Sequence, residues 1–288
     1  MPQNTGPDFI CVGMPKAGTG WLYDQLQSHP DFWMPLKEID YLAFEYPKMK
    51  HAIRWFERTE KRKHRKKAKR RHVDAREYNF LKEASACAGE PRDIAHYAEL
   101  FRYKGEQLSG DISPSYSRME EALIADIGRG LPQVKIILLV RDPITRAWSH
   151  ISLLHRLGKF DASILESPPE FRSFLANPRN IERRSFATRV VERWTKNTPH
   201  LEFRSFFFDE IVSEPEATRR EILRYLGADP ARGGETSPPD FNPKANKPKL
   251  TLTEPLKGVL IDFFKEELRA GAEIFGSHAE NWKDQYGV

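Results

Sequence analysis

Three stretches of the chain are apolar enough to be buried strands. They are residues 8–13 (DFICVG), 134–141 (VKIILLVR) and 201–208 (LEFRSFFF). The middle stretch is a continuous run of β-branched residues and Leu, which is typical of a parallel strand covered on both faces. Residues 107–112 (QLSGDI) are a weaker candidate for a fourth strand.

Helical patterns follow these strands along the chain. Apolar residues at helical spacing predict helices over 19–28, from the AspPro pair at 142–143 to about His155, over 213–227, and over 255–275. The third of these begins with acidic residues and ends at Gly227, as amphipathic helices often do. Strands that alternate with helices predict an α/β protein with a central parallel β-sheet flanked by helices, and we expect residues 1–288 to form one domain.

Two segments depart from this alternation. Residues 49–85 are predicted to be a basic helical insertion, and residues 228–250 a loop rich in Pro, Gly, Lys and Asn. Nine of the twelve residues 61–72 are Lys or Arg and none is acidic. This run alone carries more positive charge than the net +5 of the whole chain. Because the rest of the chain is net acidic, the sequence does not indicate a nucleic-acid partner.

Cysteine content and hydropathy predict a cytoplasmic protein. Cys11 and Cys87 are too few for a disulfide framework, and Cys11 lies in an apolar run. No apolar run approaches the roughly 18 residues of a membrane span, and the polar first eight residues do not resemble a signal peptide.

The stretch CVGMPKAGTGWL, residues 11–22, is close to a Walker A phosphate loop. Thr19 and Gly20 stand where that motif has Lys and Ser or Thr, and the lysine of this loop is Lys16. Backbone N–H groups at the start of a helix, together with Lys16, suit an anion. Since the hydroxyl that binds magnesium is replaced by Gly20, we expect a site without metal, for a ligand such as a sulfuryl-bearing phosphate ester.

At these residues the chain resembles the PAPS-dependent sulfotransferases, closest in motifs to the heparan-sulfate or glycosaminoglycan (Golgi) type and related bacterial enzymes. Their 5′-phosphosulfate loop reads P-K-[SA]-G-T-[TS]-W-L, and Gly20 departs from it. The resemblance implies a P-loop-kinase-like fold and a donor-binding loop made of Pro15, Lys16, Ala17, Gly18, Thr19, Gly20 and Trp21.

A second motif, IILLVRDPITRAWSH at 136–150, is similar to the family's 3′-phosphate motif R-D-P-x-x-R-A-x-S. It implies that Arg141 and Ser149 bind the 3′-phosphate of PAPS. A strand would deliver Arg141 to its carboxyl end, where open α/β sheets bind ligands. A guanidinium group can then hold a phosphate through two hydrogen bonds.

A third motif, LKEIDYLAF at 36–44, resembles the K-E-x-H-[FY]-F segment of the glycosaminoglycan-type enzymes. The resemblance implies that Glu38 is the catalytic base, with Lys37 beside it, while Asp40 replaces the usual His. An acceptor hydroxyl needs such a base because it is a poor nucleophile until its proton is removed.

Two weaker resemblances complete the candidate site. SGDISPSYS at 109–117 is similar to G-E-[KI]-[ST]-P-x-Y, which suggests that Asp111 acts near the acceptor, as a second candidate base or by orienting the substrate or Lys37. FNPKANKPKL at 241–250 resembles the family's closing segment, with Lys244, Asn246 and Lys247 as nucleotide contacts.

The resemblance implies transfer of a sulfuryl group from PAPS to a hydroxyl, or as a second choice an amine, with Lys16, Lys37, Glu38 and Asp111 as catalytic residues and no metal. The acceptor is open among a carbohydrate, a lipid, a small metabolite and a carrier-tethered intermediate. The alternatives are a P-loop kinase or NTPase-like enzyme and a non-catalytic nucleotide-binding protein. The basic run 61–72 is read first as a solvated helix face or disordered stretch, and second as a wall for a polyanionic acceptor or an acidic partner.

Overall fold

A computed structural model describes residues 5–43, 75–86, 93–177, 181, 184–236, 238 and 250–288. Four parallel strands form one sheet in the order β2-β1-β3-β4. They are β1 (Phe9–Cys11), β2 (Gly110–Ile112), β3 (Lys135–Val140) and β4 (Phe203–Phe207). The predicted α/β fold with a central parallel sheet is confirmed, and all four predicted strands are present.

The strand order creates a crevice at the carboxyl ends of the strands. β1 lies between β2 and β3, so the chain leaves β1 toward one side of the sheet and later returns on the other. In open α/β sheets, ligands bind at such a switch point, outside the carboxyl ends of the strands. The segments that follow Cys11, Ile112, Val140 and Phe207 therefore meet at the edge where a ligand is expected.

Eleven α-helices are present in the described part of the chain. They are α1 (Thr19–Gln27), α2 (Ala75–Ala86), α3 (Ile94–Leu100), α4 (Glu121–Gly130), α5 (Pro143–Arg156), α6 (Pro168–Ala176), α7 (Ala187–Asn197), α8 (Phe208–Ser213), α9 (Pro215–Leu226), α10 (Glu254–Phe275) and α11 (Ser277–Tyr286). Short 3₁₀ turns lie at Tyr41–Ala43, Phe101–Lys104, Pro114–Arg118 and Ala162–Glu166. The four helices predicted outside the basic insertion are confirmed to within two residues at each end.

The core is built around β3. Its apolar residues from Ile136 to Val140 are buried, as expected for a central parallel strand. The long helix α10 packs against α5, α6, α7 and α11. Buried Glu267 of α10 accepts hydrogen bonds from the N–H and hydroxyl of Thr188 in the first turn of α7, and burial raises the pKa of this carboxyl to about 7.

Several predictions need correction or lie outside the described residues. The strand predicted over 201–208 ends at Phe207, because Phe208 begins α8. Of the basic segment 49–85, only the part in α2 is described and it is helical, while the run 61–72, Cys87, Lys244, Asn246 and Lys247 lie outside the described residues. Cys11 is a buried free thiol. No helix in the described part of the chain is long and apolar enough to cross a membrane.

Candidate active site

A cavity of about 940 Å³ lies at the carboxyl edge of the sheet. Its lining contains most of the residues that the motifs single out, namely Pro15, Lys16, Gly18, Thr19, Gly20, Trp21, Lys37, Glu38, Arg141 and Ser149. Six Lys or Arg side chains line the cavity against three Asp or Glu. The cavity therefore suits a ligand with several negative charges.

The conformation of the loop between β1 and α1 depends on glycine at position 18. Gly18 caps α1 with a φ of 97°, a left-handed conformation that glycine adopts at little cost. A side chain there would also meet Ile211 at 3.0 Å. The first N–H bonded inside the helix is that of Leu22, to the Gly18 carbonyl at 3.0 Å. The N–H groups of Thr19 and Gly20 precede it and are oriented for an anion, as in other loops of this kind. Ala17 is buried, and its N–H bonds the carbonyl of Met14 within the loop.

Lys16 lies among other positive charges. Burial lowers the pKa of its ammonium group, and the nearby charges of Arg156, Arg141, Lys37 and Arg146 lower it further. Its backbone has a φ of 71°, an uncommon conformation for a residue with a side chain. No described residue accepts a hydrogen bond from its Nζ, so an anion in the cavity would stabilise this group.

Arg141 is held in a fixed orientation at the end of β3. Its Nη1 donates to the carbonyl of Lys16 at 3.0 Å, and its Nε donates to the hydroxyl of Thr145 at 3.2 Å. The guanidinium lies 4.1 Å from the ring centroid of Phe208. Within the described part of the chain, Nη2 has no acceptor. One edge of the guanidinium is thus left for a ligand in the cavity.

A second arginine, Arg146 of α5, supports the loop from behind. It is fully buried and donates to the carbonyl of Pro15 at 3.3 Å and to the hydroxyl of Ser185. Burial lowers its pKa to about 9. Arg146 and Arg141 thus donate to the successive carbonyls of Pro15 and Lys16. These hydrogen bonds reduce the repulsion that the two carbonyl oxygens would otherwise exert on a bound anion.

Ser149 and His150 bring polar groups of α5 to the cavity wall. The Ser149 hydroxyl has no partner among the described residues. His150 is buried, and its Nδ1 makes no hydrogen bond within the described structure. Burial, followed by the charges of Arg146, Arg184 and Lys16, lowers the pKa of the His150 ring to about 3. The ring is therefore neutral at physiological pH.

The segment that contains Glu38 is fastened to the chain that follows β2. The Glu38 N–H bonds the carbonyl of Ile112 at 3.2 Å, and the Asp40 N–H bonds the hydroxyl of Ser113 at 2.9 Å. Glu38 and Asp40 have φ values of 58° and 54°. Such conformations persist in non-glycine residues only where surrounding contacts enforce them. The hydrogen bonds to the β2 side supply those contacts.

Asp111 has a different place from the one predicted. It is fully buried and does not line the cavity. Its Oδ1 accepts from Ser113 at 2.6 Å, and its Oδ2 accepts from Tyr116 at 2.6 Å and Tyr97 at 3.1 Å. Asp111 lies within β2, where it pairs with Ile10, so its side chain points to a face of the sheet and not out of the carboxyl edge. This geometry argues against a catalytic role and makes Asp111 the centre of a buried network beneath Glu38.

Some contacts that support the site were not predicted from the sequence. Tyr286 donates from α11 to Asp142 at 2.6 Å, and Asp142 caps α5 by accepting from the Ile144 N–H at 2.9 Å. Tyr286 lies 144 positions after Asp142, so no local sequence pattern indicates this contact. The capping role of Asp142 follows from the AspPro pair, but the packing of Phe208 on Arg141 does not.

No group of three or more His, Cys, Asp or Glu that could hold a metal ion is found among the residues that the structure describes. The cavity instead presents cations and hydroxyls from the loop and α5, with the carboxylate of Glu38.

Comparisons with known proteins address the family and the fold of this chain. A sequence model of the sulfotransferase family matches residues 7–231. The crystal structure of a sulfotransferase from Alicyclobacillus acidocaldarius is similar, with a TM-score of 0.64 and 20% identity over 96% of this chain and 98% of that chain. The sulfotransferase domain from the Synechococcus PCC 7002 olefin synthase matches with a TM-score of 0.48 and 17% identity over 91% of this chain and 96% of that one. A comparison with curated proteins gave no match. Since the family model spans more than three quarters of the sequence, the chain belongs to the sulfotransferase family.

Proposed function

We propose that this protein transfers a sulfuryl group from PAPS to an acceptor hydroxyl. The observation that supports this most directly is that cationic and hydroxyl groups of two separate parts of the chain line one cavity with Glu38. Lys16 belongs to the loop before α1, while Arg141 follows β3 and Ser149 lies in α5. Two anionic groups of one nucleotide would satisfy both sets.

The residues fit PAPS group by group. The N–H groups at the start of α1, with Lys16 and the Thr19 hydroxyl, would hold the 5′-phosphosulfate. The Nη2 edge of Arg141 and the Ser149 hydroxyl would hold the 3′-phosphate. Pro238 and Leu250 both line the cavity, and they flank the segment of Lys244, Asn246 and Lys247, which we retain as proposed nucleotide contacts.

The chemistry then follows from the charges at each end of the transferred group. The acceptor oxygen attacks sulfur while the bond from sulfur to the 5′-phosphate oxygen breaks. Glu38 takes the acceptor proton, and Lys16 neutralises the charge that develops on the departing oxygen. Because burial and then the neighbouring cations lower the pKa of Lys16, negative charge at this position would stabilise its ammonium group. The products are the sulfated acceptor and adenosine 3′,5′-bisphosphate.

We also propose that residues 1–288 form a single sulfotransferase domain with an insertion at about 49–85. The acceptor would enter on the Glu38 side of the cavity, where Ser115 and Arg118 follow β2. Carbohydrate, lipid, small-metabolite and carrier-tethered hydroxyls are all candidates.

Calorimetry with adenosine 3′,5′-bisphosphate and 5′-AMP, in excess chelator, tests the donor site. Arg141→Ala should weaken binding of the bisphosphate by about 1.5–3 kcal/mol, as expected for a charged hydrogen bond, and leave 5′-AMP binding almost unchanged. Arg129→Ala is the matched control, because Arg129 pairs with Asp126 on the exposed face of α4.

Absence of bisphosphate binding by the unmodified protein would refute the PAPS proposal. Equal losses for the two nucleotides would refute the 3′-phosphate assignment alone. Transfer of labelled sulfate from PAPS into an extract of the native cell would then identify the acceptor, and no transfer by a protein that binds the bisphosphate would favour the non-catalytic alternative.

A further inference from the structure

A side chain at position 20 of the loop would meet the ammonium group of Lys37. Gly20 lies in the first turn of α1, where its backbone has no positive φ and glycine is less favourable than alanine. A Cβ added at Gly20 would lie 2.8 Å from the Nζ of Lys37 and 3.9 Å from its Cε. No other described atom lies within 4 Å of that position apart from the adjoining residues and the helix backbone. The space of a side chain at position 20 is therefore taken by the ammonium group of Lys37.

Lys37 comes to this place from a different part of the sequence. It precedes Glu38 in the segment fastened to β2, and both line the cavity together with the loop. Lys16 lines the same cavity, and the positive charge of Lys37 adds to the burial and the other cations that lower the pKa of Lys16. No described residue accepts a hydrogen bond from Lys37 Nζ. Like charges that approach in this way are stabilised when an anion lies between them.

We infer that Lys37 replaces the hydroxyl that other phosphosulfate loops have at position 20, and that its ammonium group binds the 5′-phosphate of the donor. This inference rests on the proposed function. Gly20 and Lys37 then form one functional unit, because glycine admits the ammonium and the ammonium supplies the missing donor. Lys37 is a donor-binding residue in this arrangement, and it connects the base segment to the nucleotide.

Nucleotides that differ by one phosphate test whether Lys37 binds the 5′-phosphate. Lys37→Met should weaken binding of adenosine 3′,5′-bisphosphate and of 5′-AMP roughly tenfold or more, the range expected for loss of a charged contact. Binding of 3′-AMP, which has no 5′-phosphate, should not change. Lys196→Met is the matched control, since Lys196 is exposed on α7 and pairs with Glu121.

A double-mutant cycle tests the coupling of the two positions. Gly20→Ser introduces the hydroxyl and displaces Lys37, so its effect on bisphosphate affinity should be small. In the Gly20→Ser background, Lys37→Met should then lose most of its effect, and the cycle should be strongly non-additive. Gly258→Ser in α10 controls for a serine within a helix, because no neighbour lies within 4 Å of that position.

The outcomes distinguish failure of the proposed Lys37 role from failure of the proposed PAPS site. Additive losses in the cycle, or a Lys37→Met variant whose affinity for 3′-AMP falls as much as that for 5′-AMP, would overturn the role of Lys37. So would unchanged bisphosphate affinity in Lys37→Met with a raised acceptor KM, which would assign Lys37 to the acceptor. An unmodified protein that does not bind the bisphosphate would refute the PAPS site itself. Thermal unfolding of each variant shows that it is folded.

Discussion

The network beneath Glu38 predicts that Ser113→Ala reduces turnover although Ser113 does not line the cavity. The Ser113 hydroxyl donates to Asp111 at 2.6 Å and accepts from the Asp40 N–H at 2.9 Å. Removing it takes one hydrogen bond from a buried carboxylate and leaves a buried N–H of the base segment without its acceptor. Tyr97→Phe is the matched control, because the Tyr97 hydroxyl also donates to Asp111 but makes no bond to the base segment in the described structure.

Ser113→Ala should cost more stability than Tyr97→Phe, although both remove one hydrogen bond to the same carboxylate. Each removes one hydrogen bond to a charged group, which is worth about 1.5–3 kcal/mol, and Ser113→Ala adds about 1–3 kcal/mol for the unsatisfied N–H of Asp40. Their effects on turnover should differ. The left-handed conformations of Glu38 and Asp40 store about 1–3 kcal/mol of strain each, so the segment relaxes when this anchor is lost. A displacement near 1 Å of a catalytic group lowers a rate roughly 10²-fold.

Three measurements are compared for each variant. Transfer of labelled sulfuryl at saturating donor gives turnover, urea unfolding gives stability, and bisphosphate binding gives donor affinity. We expect Ser113→Ala to lose roughly 10²-fold in turnover and Tyr97→Phe to lose only a few-fold, with donor affinity nearly constant in both. Equal losses of turnover in the two variants would mean that the effect is general loosening of the core. Near-normal turnover in Ser113→Ala would refute the anchoring role of the network.

Three further predictions concern the base, the buried acid and the metal. Glu38→Gln should lower turnover roughly 10²–10⁴-fold at nearly constant donor affinity, while Asp24→Asn, an exposed acid of the same cavity, should not. Burial raises the pKa of Asp111 from 3.8 to about 6, so the folded state binds more protons than the unfolded state between these pH values. The free energy of unfolding should therefore fall as pH rises from about 4 to 6. At about 1.4 kcal/mol per pKa unit, the total loss is ~3 kcal/mol. Asp111→Asn should flatten that slope in urea titrations at several pH values, and an unchanged slope would contradict it. Excess chelator should leave activity intact because Gly20 replaces the metal-binding hydroxyl, and activity that returned only with magnesium would favour a kinase-like enzyme.

The sheet and the donor loop were predictable because their signals are local. Residues 134–141 form an unbroken apolar run, and the glycines of 13–20 stand between a strand and a helix. Helices α6 and α7 were not predicted because each buries few large apolar residues, which leaves its buried face weakly marked in the sequence. In α7, the large apolar residues that become buried are only Val190 and Trp194, among many charged positions.

The contacts that shape the site could not be predicted because they join distant positions. Glu38 was identified from its motif, but the hydrogen bonds from its segment to Ser113 and Tyr116 span more than 70 residues. The resemblance of residues 109–117 to a family motif suggested that Asp111 acts near the acceptor. A residue within a strand points to a face of the sheet, however, and only the residues that follow the strand point out of the edge.

The two halves of the site are built in different ways, which bears on how the acceptor can vary within one fold. The donor half consists of the loop before α1 and the first turns of α5, and Arg141 and Arg146 fasten it through backbone carbonyls. Thr145, Phe208 and Ser185 hold these two arginines in turn. The base half is a segment in a strained conformation that depends on one buried carboxylate and its hydroxyl neighbours. Lys37 extends from this second half to the first. Under the proposed function, it would position the base relative to the donor and not only to the acceptor. The remaining acceptor walls could then change in sequence while the distance from base to donor is kept.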